Sequence, residues 1–203
     1  LSKELLKIDK FADQVRFTRG GGEAMSLAIR IARSKSKKTK ILFSGYHGWH
    51  DWYLSANIQN IKNLNNHLLK NLKPLGVPQK FRNSAIPLEF NNIDQLKRLS
   101  KIKDLTAIVV EPSRMEKLSG RFVNELNKIC KQRKIILIVD EITSGWRDCK
   151  GGIYKQIGLN PDIVVYGKAL GNGFAISAVI GKKKIMDIAQ DTFVSSTAWT
   201  ERV

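Results

Sequence analysis

Apolar positions along the chain follow two rhythms. Short, mostly apolar runs occur at 40–43, 105–110, 135–139 and 163–165. Runs this short, apolar at nearly every position, suit strands buried on both faces of a parallel sheet. Between them lie segments with apolar residues at helical spacing. These are the alanine-rich stretch 25–33, the stretch 92–99, and 120–133, where Phe122, Leu126 and Ile129 fall on one face. Strands alternating with helices predict an α/β fold: a mostly parallel sheet flanked by helices in three layers. Weaker signals fill the remainder. Leu5, Leu6, Ile8 and Phe11 mark an amphipathic piece within 1–13, and 15–17 is short and β-like. The stretch 57–92 is polar and predicts loops, a short helix and one strand. The stretch 174–181 predicts a strand, and 182–188 opens a helix.

The residues just beyond each strand carry the chemistry. The run 40–43 leads to Tyr46 and His47, 105–110 to Glu111, 135–139 to Asp140, and 163–165 to Lys168. In open α/β sheets, ligands bind beyond the carboxyl ends of the strands. Lys168 follows apolar residues and precedes small ones, which predicts a partly desolvated amine with a lowered pKa, able to act as a nucleophile. Taken singly, Lys168 is equally a solvated lysine and Asp140 a strand-end cap. Taken together, an amine and an anion suit pyridoxal phosphate (PLP). Its aldehyde takes a lysine as a Schiff base, and its pyridinium nitrogen needs an acidic partner. The turn Gly20-Gly21-Gly22 before the helix at 25–33 could hold an anion on free backbone N–H groups, or be a plain helix entry. Tyr46 and His47 could stack on a planar ring or pack on the core. His47, His50 and Asp51 have no further ligands at metal spacing, so no metal is expected.

Five segments occur in a fixed order: Gly20-Gly21-Gly22-Glu23-Ala24, Tyr46-His47-Gly48, Glu111-Pro112, the run Val139-Asp140-Glu141-Ile142-Thr143-Ser144-Gly145-Trp146-Arg147, and Gly167-Lys168-Ala169. This order resembles the class III aminotransferases of PLP fold type I, in the branch similar to glutamate-1-semialdehyde aminotransferase. The resemblance covers nearly all of the chain. It implies that Lys168 forms the Schiff base and that Asp140 partners the pyridine nitrogen. It further implies that Gly21 and Gly22 hold the phosphate, that Tyr46 covers one ring face with His47 beside it, and that Ile142 packs on the other face. Glu111 would support the pocket from behind, and Thr197 would reach the phosphate in the neighbouring subunit of a homodimer. The chain departs from the family in four places. Gly20 and Gly22 stand where a Ser or Thr hydroxyl is common, so only backbone donors remain. Ser113-Arg114-Met115-Glu116 replaces a usual Gly-Asn pair, Phe174-Ala175 stands where proline is frequent, and no Gly-Asn-Pro follows Thr197.

Size and charge refine this picture. A chain of 203 residues has room for one substantial core. By the resemblance, residues 1–203 are read as a fragment holding the PLP-binding large domain, incomplete at both ends, without the small C-terminal domain. The formal net charge is +17, which raises the question of a nucleic-acid or anionic partner. The lysines are spread through helices and loops, as in 34–40, with no interleaved aromatics, and read as solvated surface. Cys130 and Cys149 form no CxxC pattern, which points to a reduced intracellular compartment, the cytoplasm. No apolar run approaches the roughly 20 residues that span a bilayer. The implied activity is transfer of an amino group between an amino donor and a ketone or aldehyde. Three alternatives stand beside it: an intramolecular aminomutase, a basic anion-binding protein, and an inactive fragment.

Overall fold

The computed structural model describes residues 1–67, 70–114 and 116–195. Its strands are β1 (Gln14–Thr18), β2 (Lys40–Ser44), β3 (Ala85–Pro87), β4 (Leu105–Val110), β5 (Ile136–Asp140), β6 (Ile163–Tyr166) and β7 (Ser177–Gly181). They form one sheet in the order β1-β7-β6-β5-β4-β2-β3. The pairs from β6 through β5, β4 and β2 to β3 are parallel. At the other edge β7 runs antiparallel to both β6 and β1. The antiparallel edge was not legible in the apolar pattern, because a strand buried on both faces looks the same in either direction. The seventh strand is also shorter than the stretch 174–181. Phe174 is exposed in a turn, its N–H bonded to Gly171 O, and pairing begins only at Ser177.

The helices are α1 (Ser2–Ile8), α2 (Gly21–Ser36), α3 (Asp51–Leu54), α4 (Ile93–Leu99), α5 (Gly120–Arg133), α6 (Tyr154–Ile157) and α7 (Lys183–Met186). Side chains alternate along each central strand, so the sheet feeds two cores. Ala107, Val109, Ile136, Ile138, Ile163 and Val165 face α2 and α7. Leu105, Ile108, Leu137, Val139, Val164 and Tyr166 face α1, α4 and α5. This is the three-layer arrangement the sequence implied. Burying both faces is what requires the runs to be apolar throughout.

Local chemistry sets the helix ends. Ser119 Oγ accepts from Phe122 N at 3.3 Å, and Asn92 Oδ1 from Gln95 N at 2.9 Å. At α2 the N-cap is Gly20, which has no side chain to offer. Instead the Glu23 carboxylate reaches back to Arg19 N at 3.0 Å and Gly20 N at 3.5 Å. The glycines are therefore not a loop before the helix; Gly21 and Gly22 form its first turn. Lys37 and Lys134 end α2 and α5 in left-handed conformations.

Candidate active site

Four parallel strands deliver their carboxyl ends to one edge. Beyond β2 come Tyr46 and His47, beyond β4 Glu111, at the end of β5 Asp140, and beyond β6 Lys168. A cleft of about 340 Å³ opens there. Gly21, Gly22, Tyr46, His47, Asp140, Ile142 and Lys168 all line it. Residues far apart in the chain thus converge on one cavity. Thr197 lies outside the described residues.

Asp140 is almost fully buried, at 3% exposure. His47 donates from Nδ1 to Asp140 Oδ2 at 2.7 Å, and the backbone N–H of Ile142 donates to Oδ1 at 3.0 Å. The His47 ring is buried as well, stacked near Trp52 and edge-on to Phe43 and Tyr53. Its Nε2 is buried with no hydrogen-bond partner among the described residues. An aspartate held this way is fixed in orientation while one face still borders the cleft.

Lys168 differs from its expected environment. It is exposed rather than desolvated, and its Nζ donates to Thr143 Oγ1 at 2.8 Å. Its backbone is unusual as well. Lys168 adopts φ +45, a left-handed conformation disfavoured for residues other than glycine. The side chain lines the open cleft just beyond the sheet edge. Thr143, part of the motif but given no role there, is the residue that anchors the amine. Only its place three residues after Asp140, in the tight turn 141–146, hinted at such a use.

Ile142 and Ser177 account for two glycines. A Cβ at Gly21 would lie 2.9 Å from Ile142 Cδ1, and one at Gly167 would lie 2.9 Å from Ser177 Oγ and 3.3 Å from Ile142 Cγ2. The branched side chain is wedged between the start of α2 and the end of β6, leaving bare backbone on both sides. N–H groups in the first turn of a helix lack intrahelical acceptors. Gly21 and Gly22 therefore offer donors, and the positive end of the α2 dipole, to an anion.

Glu111 does not line the cleft. It stands behind Tyr46, in an adjoining cavity of about 120 Å³ with Gly45, His67 and Arg114. Its Oε2 accepts from Tyr46 N at 2.8 Å and from Arg114 Nη1 at 3.2 Å, while the Arg114 guanidinium sits 5.1 Å from the Tyr46 ring centre. Burial pushes the Glu111 carboxyl above the usual carboxylate range. Gly45 takes φ +120 and abuts the same carboxylate, leaving no room for a side chain. His67 Nδ1 accepts from Gly45 N at 3.2 Å, and burial lowers its pKa to about 4. Sequence reasoning did not single out His67 or Arg114 for any role. Among the described residues, no group of three or more His, Cys, Asp or Glu is placed to hold a metal, and no helix is long and apolar enough to cross a membrane.

A mostly parallel α/β sheet with a lysine, a buried aspartate and an anion-binding helix start at one cleft defines a class of cofactor-dependent enzymes. The particular family emerges from direct comparison. The family model for aminotransferase class-III matches residues 1–199, and the chain belongs to that family, whose cofactor is PLP. A glutamate-1-semialdehyde 2,1-aminomutase of Nitrosopumilus maritimus is 40% identical over 183 residues, 87% of this chain and 42% of that protein. A 3-aminobutyryl-CoA aminotransferase of Cloacimonas acidaminovorans is 31% identical, over 97% of this chain and 46% of its own length. The PLP-bound FumI protein of Sphingopyxis sp. MTA144 shares the fold, with a TM-score of 0.83 at 24% identity, over 98% of this chain and 46% of that one. The chain thus spans less than half the length of the curated relatives it matches.

The residues present fit the family's cofactor. The first turn of α2 has bare backbone where a Cβ would collide, a buried carboxylate borders the cleft, and an amine stands across from it.

Proposed function

We propose that the whole protein moves amino groups between small molecules with PLP at this cleft. The observation that carries the reading is the convergence of Lys168 Nζ, the Asp140 carboxylate and the bare first turn of α2 on one cavity. When bound, PLP supplies an aldehyde that an amine can capture and a pyridinium ring that accepts the electron pair released at a substrate carbon. Gly21 and Gly22 would hold the phosphate through backbone N–H groups. Asp140, held by His47 and the Ile142 N–H, would keep a proton on the pyridine nitrogen. Tyr46 and Ile142 would border the ring, and Glu111 holds Tyr46 from behind. Lys168 would be the amine that takes the aldehyde and, when free, the base that removes the proton from the substrate Cα. Thr143 holds that amine at the cleft.

An intramolecular aminomutase, which returns the amino group to the molecule that gave it up, is favoured by the activity for which the 40%-identical relative is named. The aminotransferase reading is favoured by the 31%-identical relative. A required second amino acceptor decides between them. We read residues 1–203 as the large domain of this enzyme, working as a homodimer in the cytoplasm. The reading of residues 1–203 as the large domain rests on the share of the relatives that is covered, and the placement in the cytoplasm rests on two unbridged cysteines.

The direct test is reduction with borohydride in the presence of PLP, followed by digestion and mass analysis. The expected result is one dominant modified residue, Lys168. Label scattered over surface lysines of a folded sample sinks the reading.

A further inference from the structure

We infer that His50 is a phosphate-binding residue of this site, standing in for the side chain that position 22 lacks; the inference rests on the cofactor reading above. Gly22 lies in the first turn of α2 and lines the cleft, and His50 approaches it from a neighbouring cavity of about 550 Å³, which Ser26 also lines and which shares Trp49 with the cleft. A Cβ there would fall 2.8 Å from His50 Nε2 and 2.9 Å from its Cδ2. The imidazole therefore occupies the space into which a side chain at position 22 would project. Gly48, two residues before His50, brings the loop close enough for this, since its own Cβ would stand 3.4 Å from Gly22 Cα.

The ring is oriented from its far side. Ser26, one turn along α2 from Gly22, places Oγ 2.8 Å from His50 Nδ1. With the Ser26 hydroxyl donating to Nδ1, the ring proton sits on Nε2, the nitrogen beside the bare helix start. Among the described residues Nε2 has no hydrogen-bond partner. Ser26 and His50 are both half-buried, so a bond from Nε2 to an anion is less screened than one on the surface. Gly22 then has a specific reason to be glycine: a hydroxyl-bearing side chain and His50 cannot share the space. The donor lost from α2 is returned from the loop between β2 and α3.

The test compares PLP, pyridoxal without phosphate, and inorganic phosphate as ligands of the full-length protein, measured by equilibrium binding. In His50→Ala the dissociation constant for PLP should rise about tenfold to a hundredfold, as for loss of a hydrogen bond to a charged group, while that for pyridoxal stays within about twofold. Gly22→Thr alone should weaken PLP binding, because the new side chain meets the ring. Gly22→Thr combined with His50→Ala should restore it. An unchanged PLP constant in His50→Ala overturns the inference. So does an equal loss for PLP and pyridoxal, which would make His50 a strut for its loop. If the wild type binds inorganic phosphate through His50 but not PLP, the anion role stands and the cofactor reading fails. If it binds neither, both fail.

Discussion

Asp9 and Asp140 are two buried carboxylates on opposite faces of one sheet, and their surroundings differ in kind. Asp9 is fully buried against the α1 and α5 side. Tyr154 and Tyr166 donate their phenols to it at 2.6 and 3.0 Å, and Lys155 Nζ lies 3.4 Å away. These contacts tie α1 and α6 to β6, and burial pushes both phenols up, out of the range where they ionise. Asp140 has as little exposure, but its partners leave one side on the cleft, and among the described residues His47 behind it keeps a nitrogen unpaired. A buried charge is costly wherever it sits. Asp9 offsets that cost by joining segments of the fold, whereas Asp140 is bonded by His47 and the Ile142 N–H while it still lines the cleft. Burial alone would not have told them apart; the use made of each partner does.

Four changes probe that contrast, from the largest effect downward. Lys168→Ala in the full-length enzyme should abolish turnover, with the thermal midpoint nearly unchanged, since the side chain is exposed; retained turnover would falsify the assigned role. Asp140→Asn keeps the shape and removes the charge. It should lower kcat about 10²- to 10³-fold, the range for losing a preorganised electrostatic group, with little effect on unfolding by urea. Asp9→Ala should do the opposite. Two buried phenols lose their acceptor, which costs about 3 kcal/mol in urea unfolding, while kcat per folded molecule holds. A large fall in kcat there would mean that the two faces are coupled. The smallest effect concerns His67. Its folded pKa, about 4, lies below the ordinary 6.5. The unfolded chain therefore binds the extra proton first, and stability is lost as pH falls from 6.5 toward 4. Glu111 acts in the opposite sense, because its raised pKa makes folding less favourable as pH climbs past the ordinary carboxylate value. The difference between wild type and His67→Asn isolates the histidine. The variant should show a flatter acid limb, by up to about 3 kcal/mol below pH 4 and by nothing at neutral pH, while its amide oxygen can still accept from Gly45 N.

Much of this molecule could be read from the chain. Strands such as 105–110 and 135–139 were visible because a strand covered on both faces is apolar at nearly every position. Asp140 and Lys168 stood out because a charge directly after such a run has to lie at the sheet edge. What could not be read depends on distance or angle. The clamp on Asp9 joins residues 145 and 157 positions apart, and no local pattern encodes it. Thr143 matters through the direction of one hydroxyl, and His50 through the space it takes from Gly22. The exposure of Lys168 was misjudged because residue types report polarity, not the openness of the cleft, and its backbone twist of φ +45 was equally out of reach.

That twist bears on how the protein could decay. A left-handed residue other than glycine costs roughly 1 kcal/mol, so at position 168 the fold by itself would accept a glycine more readily than the lysine it carries. On the function proposed above, the residue on which turnover depends is thus one that the backbone does not favour. Replacing its whole side chain by a hydrogen atom would remove the amine from the cleft and its bond to Thr143 while leaving the packed sheet untouched, so loss of activity there would be silent in a measurement of folding.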